Sequence, residues 1–212
     1  MEQTIISRAL EFVRGVFEND YSGHDYFHTV RVCRTAERIA AAEGADVETV
    51  QLAALLHDVD DRKLSPETYE NKDRARAFLR ENGAADAQIE SICKIIDEIS
   101  FGSGLTPDSI EGCCVQDADR LDAIGAIGIG RAFAYGGSHS RPMYDPEIPP
   151  KLNMTKEEYR NSKSTTINHF HEKLFLLKNL LNTATARQIA EQREAFMQAF
   201  IDEFMQEWNG LR

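Results

Sequence analysis

Long apolar runs are missing from this chain of 212 residues. No segment approaches the roughly 20 apolar residues that cross a bilayer. The opening Met1-Glu-Gln-Thr-Ile-Ile-Ser-Arg has neither a basic stretch ahead of an apolar one nor a small-residue cleavage pattern. A cytoplasmic protein with no membrane partner is expected. Positive charge is also short: 24 Lys and Arg stand against 35 Asp and Glu, a net charge of -11. Such a surface is not built to neutralise the phosphates of polymeric nucleic acid, although a small basic pocket can exist inside it. The four cysteines, Cys33, Cys93, Cys113 and Cys114, show no Cys-x-x-Cys metal spacing and fall inside helical apolar patterns, so they read as reduced core residues. Runs of alternating Val, Ile and Thr that would mark strands are absent too.

What is there recurs at helical spacing. The chain reads as all-α, a single-domain helical bundle, because 42% hydrophobic content supplies one substantial core and no compositional break divides it. Helices are expected near 2–19, 24–43, 46–59, 66–82, 86–100, 107–135, 155–181 and 183–208. Ser65-Pro66 and Thr106-Pro107 place a cap before a first-turn proline, Thr155-Lys-Glu-Glu158 has capping-box spacing, and Asn82-Gly83 reads as a stop. The irregular stretch from Gly136 to Pro150 concentrates glycine and proline and is the expected gate. Phe196, Phe200, Phe204 and Trp208, four residues apart, read as a core stripe.

Chemistry concentrates in four residues of the first half: His28, the adjacent His57-Asp58, and Asp119 within Val115-Gln-Asp-Ala-Asp-Arg-Leu-Asp122. A His or Asp beside an apolar run is more often a cap or a satisfied structural residue than a ligand. His57-Asp58 is different, because it ends Leu52-Ala-Ala-Leu-Leu56, where two ionisable groups are costly to desolvate without a compensating cation. Neighbours on a helix point about 100° apart, so other helices have to complete the coordination. Two imidazoles and two carboxylates suit a divalent first-row ion such as Mn²⁺, Fe²⁺ or Zn²⁺ better than Ca²⁺, which prefers oxygen alone.

The order His, His-Asp, Asp resembles the HD superfamily of metal-dependent phosphohydrolases. The similarity extends through His24-Asp-Tyr-Phe-His-Thr-Val-Arg-Val32, Ala53-Ala-Leu-Leu-His-Asp-Val59, Gln116-Asp-Ala-Asp-Arg-Leu-Asp-Ala-Ile-Gly125 and Ile167-Asn-His-Phe-His-Glu-Lys-Leu174, to a bacterial subgroup of stand-alone HD proteins. That resemblance implies an all-helical domain over 1–212, with a metal-ligand core at about 20–135 and C-terminal helices at about 155–208 packed on it. It implies one divalent ion on His28, His57, Asp58 and Asp119, with Mn²⁺ foremost and Fe²⁺, Zn²⁺, Ni²⁺, Co²⁺ or Mg²⁺ as alternatives. Dinuclear members use extra histidines after the His-Asp pair, and none lies here between His57 and His139. The Gly-Tyr-Pro extension of cyclic-dinucleotide phosphodiesterases is missing, and Asp61-Arg62 stands where alarmone hydrolases carry Glu-Asp.

The implied activity is hydrolysis of nucleotides, foremost as a nucleoside or deoxynucleoside triphosphate pyrophosphohydrolase. The alternatives are a 5′-nucleotidase, a phosphodiesterase of small cyclic nucleotides, or a metal-bound nucleotide sensor without turnover. Asp61 is assigned to orient water and Lys63 to meet phosphate as a point charge. Asp117 is read as holding a histidine ligand in its tautomer, or as an ion-pair partner of Arg120 or Arg131. His24, Arg131, His139 and Arg141 are assigned to the substrate, Asp25 to a cap or to the site, and His169 and His171 to no role. The partner is a small nucleotide or other phosphoester, with a homodimer as an open option.

Overall fold

A computed structural model of the chain describes residues 4–18, 25–61, 65–99, 105–155, 157–158 and 162–212. Among the described residues the regular structure is helical, with no strand, so the chain is all-α. It divides into two compact units: residues 1–119 with 182–186, and residues 120–181 with 187–212.

The first unit is built around a helix whose second half is wholly apolar and buried. Helix α1 spans Ile5–Val16, α2 Tyr26–Glu43, α3 Val47–Leu56, α4 Asp73–Glu81, α5 Asp86–Ile99 and α6 Ile110–Asp122, whose residues from Arg120 onward fall in the second unit. In α3, Val50, Leu52, Ala53, Ala54, Leu55 and Leu56 are all fully buried, which makes it the axis against which α1, α2 and α5 pack. Each buried leucine contributes about 1.5–3 kcal/mol, so this packing fixes where α3 ends. Helix starts follow local chemistry. The Thr4 hydroxyl accepts from Ser7 N–H, the Asp25 carboxylate from His28 N–H and the Asp46 carboxylate from Thr49 N–H.

Several expected boundaries move in this unit, and two helix starts show why. The helix expected over 66–82 begins only at Asp73, because residues 66–72 form turns, Lys72 is left-handed at φ 55°, and the buried Asp60 accepts from the N–H groups of Arg74 and Ala75. Helix α6 starts after Thr106-Pro107, where the Ser109 hydroxyl accepts from Gly112 N–H.

In the second unit, α7 spans Gly125–Ser138, α8 Thr166–Glu172, a 3₁₀ helix Leu174–Leu180, and α9 Ala184–Trp208, of which residues from Arg187 onward belong here. The helix expected over 107–135 is two helices. Gly125 takes φ 77°, which a chain with a side chain there adopts only with strain, so α6 stops and α7 begins afresh. The helix expected over 155–181 is also broken: residues 162–165 are not helical, α8 starts only at Thr166, where the Thr165 hydroxyl accepts from Asn168 N–H, and Lys173 at φ -142° turns the chain into the 3₁₀ segment. The Thr155 to Glu158 capping box forms as the spacing requires. Phe170, fully buried, is ringed by Phe133, Phe175 and Phe200 at 6.1 to 6.4 Å between centroids. The expected stripe on α9 is only partly core: Phe196 is 55% and Trp208 47% exposed, while Met197 and Ile201 point inward. A strict four-residue spacing drifts around a helix of 3.6 residues per turn, so its ends leave the packed face.

Candidate metal centre

Helix α3 carries an ionisable pair to the edge of its own apolar packing. His57 is the residue that closes the helix, still in right-handed geometry at φ -61° and ψ -33°. Its Nδ1 lies 2.8 Å from the Ala54 carbonyl oxygen. A carbonyl can only accept, so Nδ1 carries the proton and Nε2 is turned toward the cluster. Asp58 follows, and its Oδ2 lies 3.1 Å from His57 Nε2 and 3.6 Å from His28 Nε2.

The other two members arrive on separate helices. His28 sits in the first turn of α2, where Asp25 caps the helix by accepting the His28 N–H at 2.7 Å; the side chain is 1% exposed. Asp119 comes from α6, with Oδ1 3.4 Å from His28 Nε2. One nitrogen or oxygen each from His28, His57 and Asp119 lie within 4.8 Å of one another, and the imidazole rings of His28 and His57 meet edge-on at 5.5 Å. All four residues belong to the first unit.

Electrostatics show what this grouping asks for. Burial alone lowers the pKa of His57, but the carboxylates of Asp58 and Asp119 outweigh it and raise the imidazole to about 9. Burial likewise pushes Asp119 up, and His28 and His57 hold it below the ordinary carboxylate value. A buried and a half-buried carboxylate are therefore stable there only beside positive charge. Two imidazole nitrogens and the Asp119 carboxylate within 4.8 Å of one another, with Asp58 Oδ2 against both imidazoles, fit a divalent cation by donor chemistry.

Other assigned residues fall elsewhere. Asp61 is half-buried three residues after Asp58, and its N–H donates to the Asp58 carbonyl at 3.1 Å. His24 and Lys63 lie outside the described residues. Asp117 is fully buried, and its carboxylate accepts from Asn182 N–H and Nδ2 and from Thr183 N–H and Oγ1 at 2.7 to 3.0 Å. That partnership was missed by the sequence reading, since nothing local connects positions 65 residues apart.

In the second unit Arg131 pairs with Asp122 at 2.8 Å. His139 stacks on Tyr135 at 3.8 Å, and the Arg141 guanidinium lies 5.7 Å from the same ring. His169 is half-buried, with its pKa lowered to about 4 by burial and by the charges of Lys173 and Arg141. The four cysteines are free thiols. Burial pushes Cys33 and Cys114 up to about 12, which fits the expected core role.

The family model described as HD domain matches residues 25–124, the stretch that supplies all four clustered residues. A Bacillus subtilis protein, YpgQ, is 35% identical over 204 residues, which cover 94% of this chain and 92% of that protein. The chain belongs to the HD superfamily. Among solved structures, an HD-superfamily hydrolase from Bacillus thuringiensis shares 42% identity over 96% of each chain, with a TM-score of 0.79. The structure of Bacillus subtilis YpgQ in complex with ADP superposes with a TM-score of 0.78 and 33% identity, covering 98% of this chain and all of that one. The present protein thus has the fold of an HD-superfamily hydrolase, and HD domains bind divalent metals. Its nearly full-length match means that the helices beyond residue 124 are part of the shared architecture and not an addition peculiar to this chain.

Proposed function

We propose that this HD protein is a metal-dependent nucleotide phosphohydrolase, and specifically a nucleoside and deoxynucleoside triphosphate pyrophosphohydrolase, with one divalent cation, Mn²⁺ first, on His28, His57, Asp58 and Asp119. The observation that carries the reading is the cluster of His28, His57 and Asp119 within 4.8 Å, with Asp58 Oδ2 lying against both imidazoles. The complex of the related YpgQ with ADP supports a nucleotide over other phosphoesters.

When bound, the cation supplies orientation of a phosphoryl oxygen, neutralisation of developing charge and a lowered pKa for water. The chain supplies the rest. The Ala54 carbonyl holds the His57 ring in the tautomer that offers Nε2, and Asp25 fixes the helix turn that carries His28. Asp58 and Asp119 bring the negative charge. Asp61, on the turn continuing from Asp58, is the group we assign to orient the attacking water and take its proton.

The test is phosphorus NMR of the protein with Mn²⁺ and a panel of nucleoside mono- and triphosphates. Pyrophosphate and monophosphate from triphosphates are the expected products. Orthophosphate from monophosphates would replace the proposal with a nucleotidase. Tight nucleotide binding without turnover would replace it with a sensor, and Asp61→Ala separates the cases, because an enzyme keeps binding and loses turnover.

A further inference from the structure

A short segment from far along the chain ties two of the helices that bear the clustered residues. Residues 182–186 belong to the first unit although the chain between 120 and 181 does not. Asp117, on α6 two residues before Asp119, accepts from the N–H groups of both Asn182 and Thr183, from the Thr183 hydroxyl and from the Asn182 amide. Gln116 accepts from the same amide at 2.9 Å. Two residues on, Thr185 N–H donates at 2.7 Å to Glu43, in the last turn of α2, the helix that carries His28 in its first turn.

We infer that residues 182–185 form a clip whose function is to hold Asp119 of α6 against His28 of α2, making Asp117 and Glu43 positioning residues for the metal site; the inference rests on the metal reading above. A helix cap needs only one acceptor, and the Thr183 hydroxyl already supplies it to Ala186 N–H at 3.2 Å. A fully buried carboxylate taking four donors from two consecutive residues fixes more than a cap does. It sets the position of α6 along and around its own axis, which is the quantity that sets the reach of Asp119. A second tie acts in the same sense: Glu111 at the start of α6 accepts from Asp46 N–H, just beyond the end of α2, at 3.1 Å. Groups that orient ligands from behind govern metal affinity by about 10- to 100-fold.

The experiment is metal titration, by calorimetry with Mn²⁺ and by the visible spectrum of bound Co²⁺, on the full chain and on Asp117→Asn, Glu43→Ala and Glu43→Gln. Each is measured well below its metal-free melting temperature. Asp117→Asn and Glu43→Ala are expected to weaken binding about tenfold or more and to change the Co²⁺ spectrum. Glu43→Gln, which keeps the accepting oxygen, is expected to restore it. Lower melting temperatures with unchanged affinity and spectrum in the folded variants would overturn the clip and leave a purely structural anchor. If Asp117→Asn does not fold, the Glu43→Ala and Glu43→Gln pair decides alone. A full-length protein that binds neither metal would instead remove the metal reading on which the clip depends.

Discussion

Two histidines, one in each unit, move in opposite directions. His57 is raised to about 9 and His169 lowered to about 4, although burial pulls both down from 6.5. Their neighbours make the difference. His57 faces the carboxylates of Asp58 and Asp119, whereas the charges acting on His169 are those of Lys173 and Arg141. Burial thus does not identify a functional histidine; the sign of the surrounding charge does, and only the first environment is arranged to accept a cation.

The sharpest way to break this comparison is His57→Ala. It removes one of two nitrogen donors and leaves Asp58 and Asp119 with only His28 beside them, so metal affinity and phosphohydrolysis should each fall by at least about 100-fold. Calorimetry and product release measure the two. Equal metal binding in His57→Ala would end the case for this cluster. His169→Gln should leave metal affinity within about twofold.

Stability against pH sharpens the contrast further, in metal-free protein with chelator present. His57 has a folded pKa above its unfolded value, so its stabilisation is complete below about 6.5 and is lost as pH rises through about 9. His169 has a folded pKa below its unfolded value. It costs nothing above about 6.5, and its cost grows as pH falls toward about 4, because the unfolded chain binds the proton that the fold refuses. Each arm has a limiting slope of about 1.4 kcal/mol per pH unit. Urea denaturation across the range should show the acid arm flattened in His169→Gln and the alkaline arm flattened in His57→Gln. Backbone strain in the second unit gives a smaller effect on stability. Gly125→Ala places a Cβ 2.9 Å from the Arg193 side chain at a positive φ, and should cost about 1–3 kcal/mol by the same denaturation measurement.

Much of this architecture was legible because it is local. The apolar run Leu52–Leu56 of α3 and its ending at His57, the stop at Asn82-Gly83 and the capping box at Thr155 follow from residues a few positions apart. The four clustered residues were legible from residue type and from family resemblance. Illegible features depend on partners distant in sequence or on one backbone angle. Asp60 cuts the expected 66–82 helix short by capping Arg74 and Ala75, and Gly125 divides 107–135 by a turn that periodicity spans without notice. Asp117 was read as a histidine partner or an ion pair, whereas its carboxylate receives Asn182 and Thr183, and no spacing rule links them.

The hydrogen bond from His57 Nδ1 to the Ala54 carbonyl has one further consequence. With that ring position committed to the backbone, the imidazole can gain or lose a proton only at Nε2, the atom proposed to hold the cation. Hydrogen ion and metal then compete for a single electron pair. Acidification is accordingly a reversible way to strip the site without a chelator, and metal loading in a weakly buffered solution should announce itself as a fall in pH.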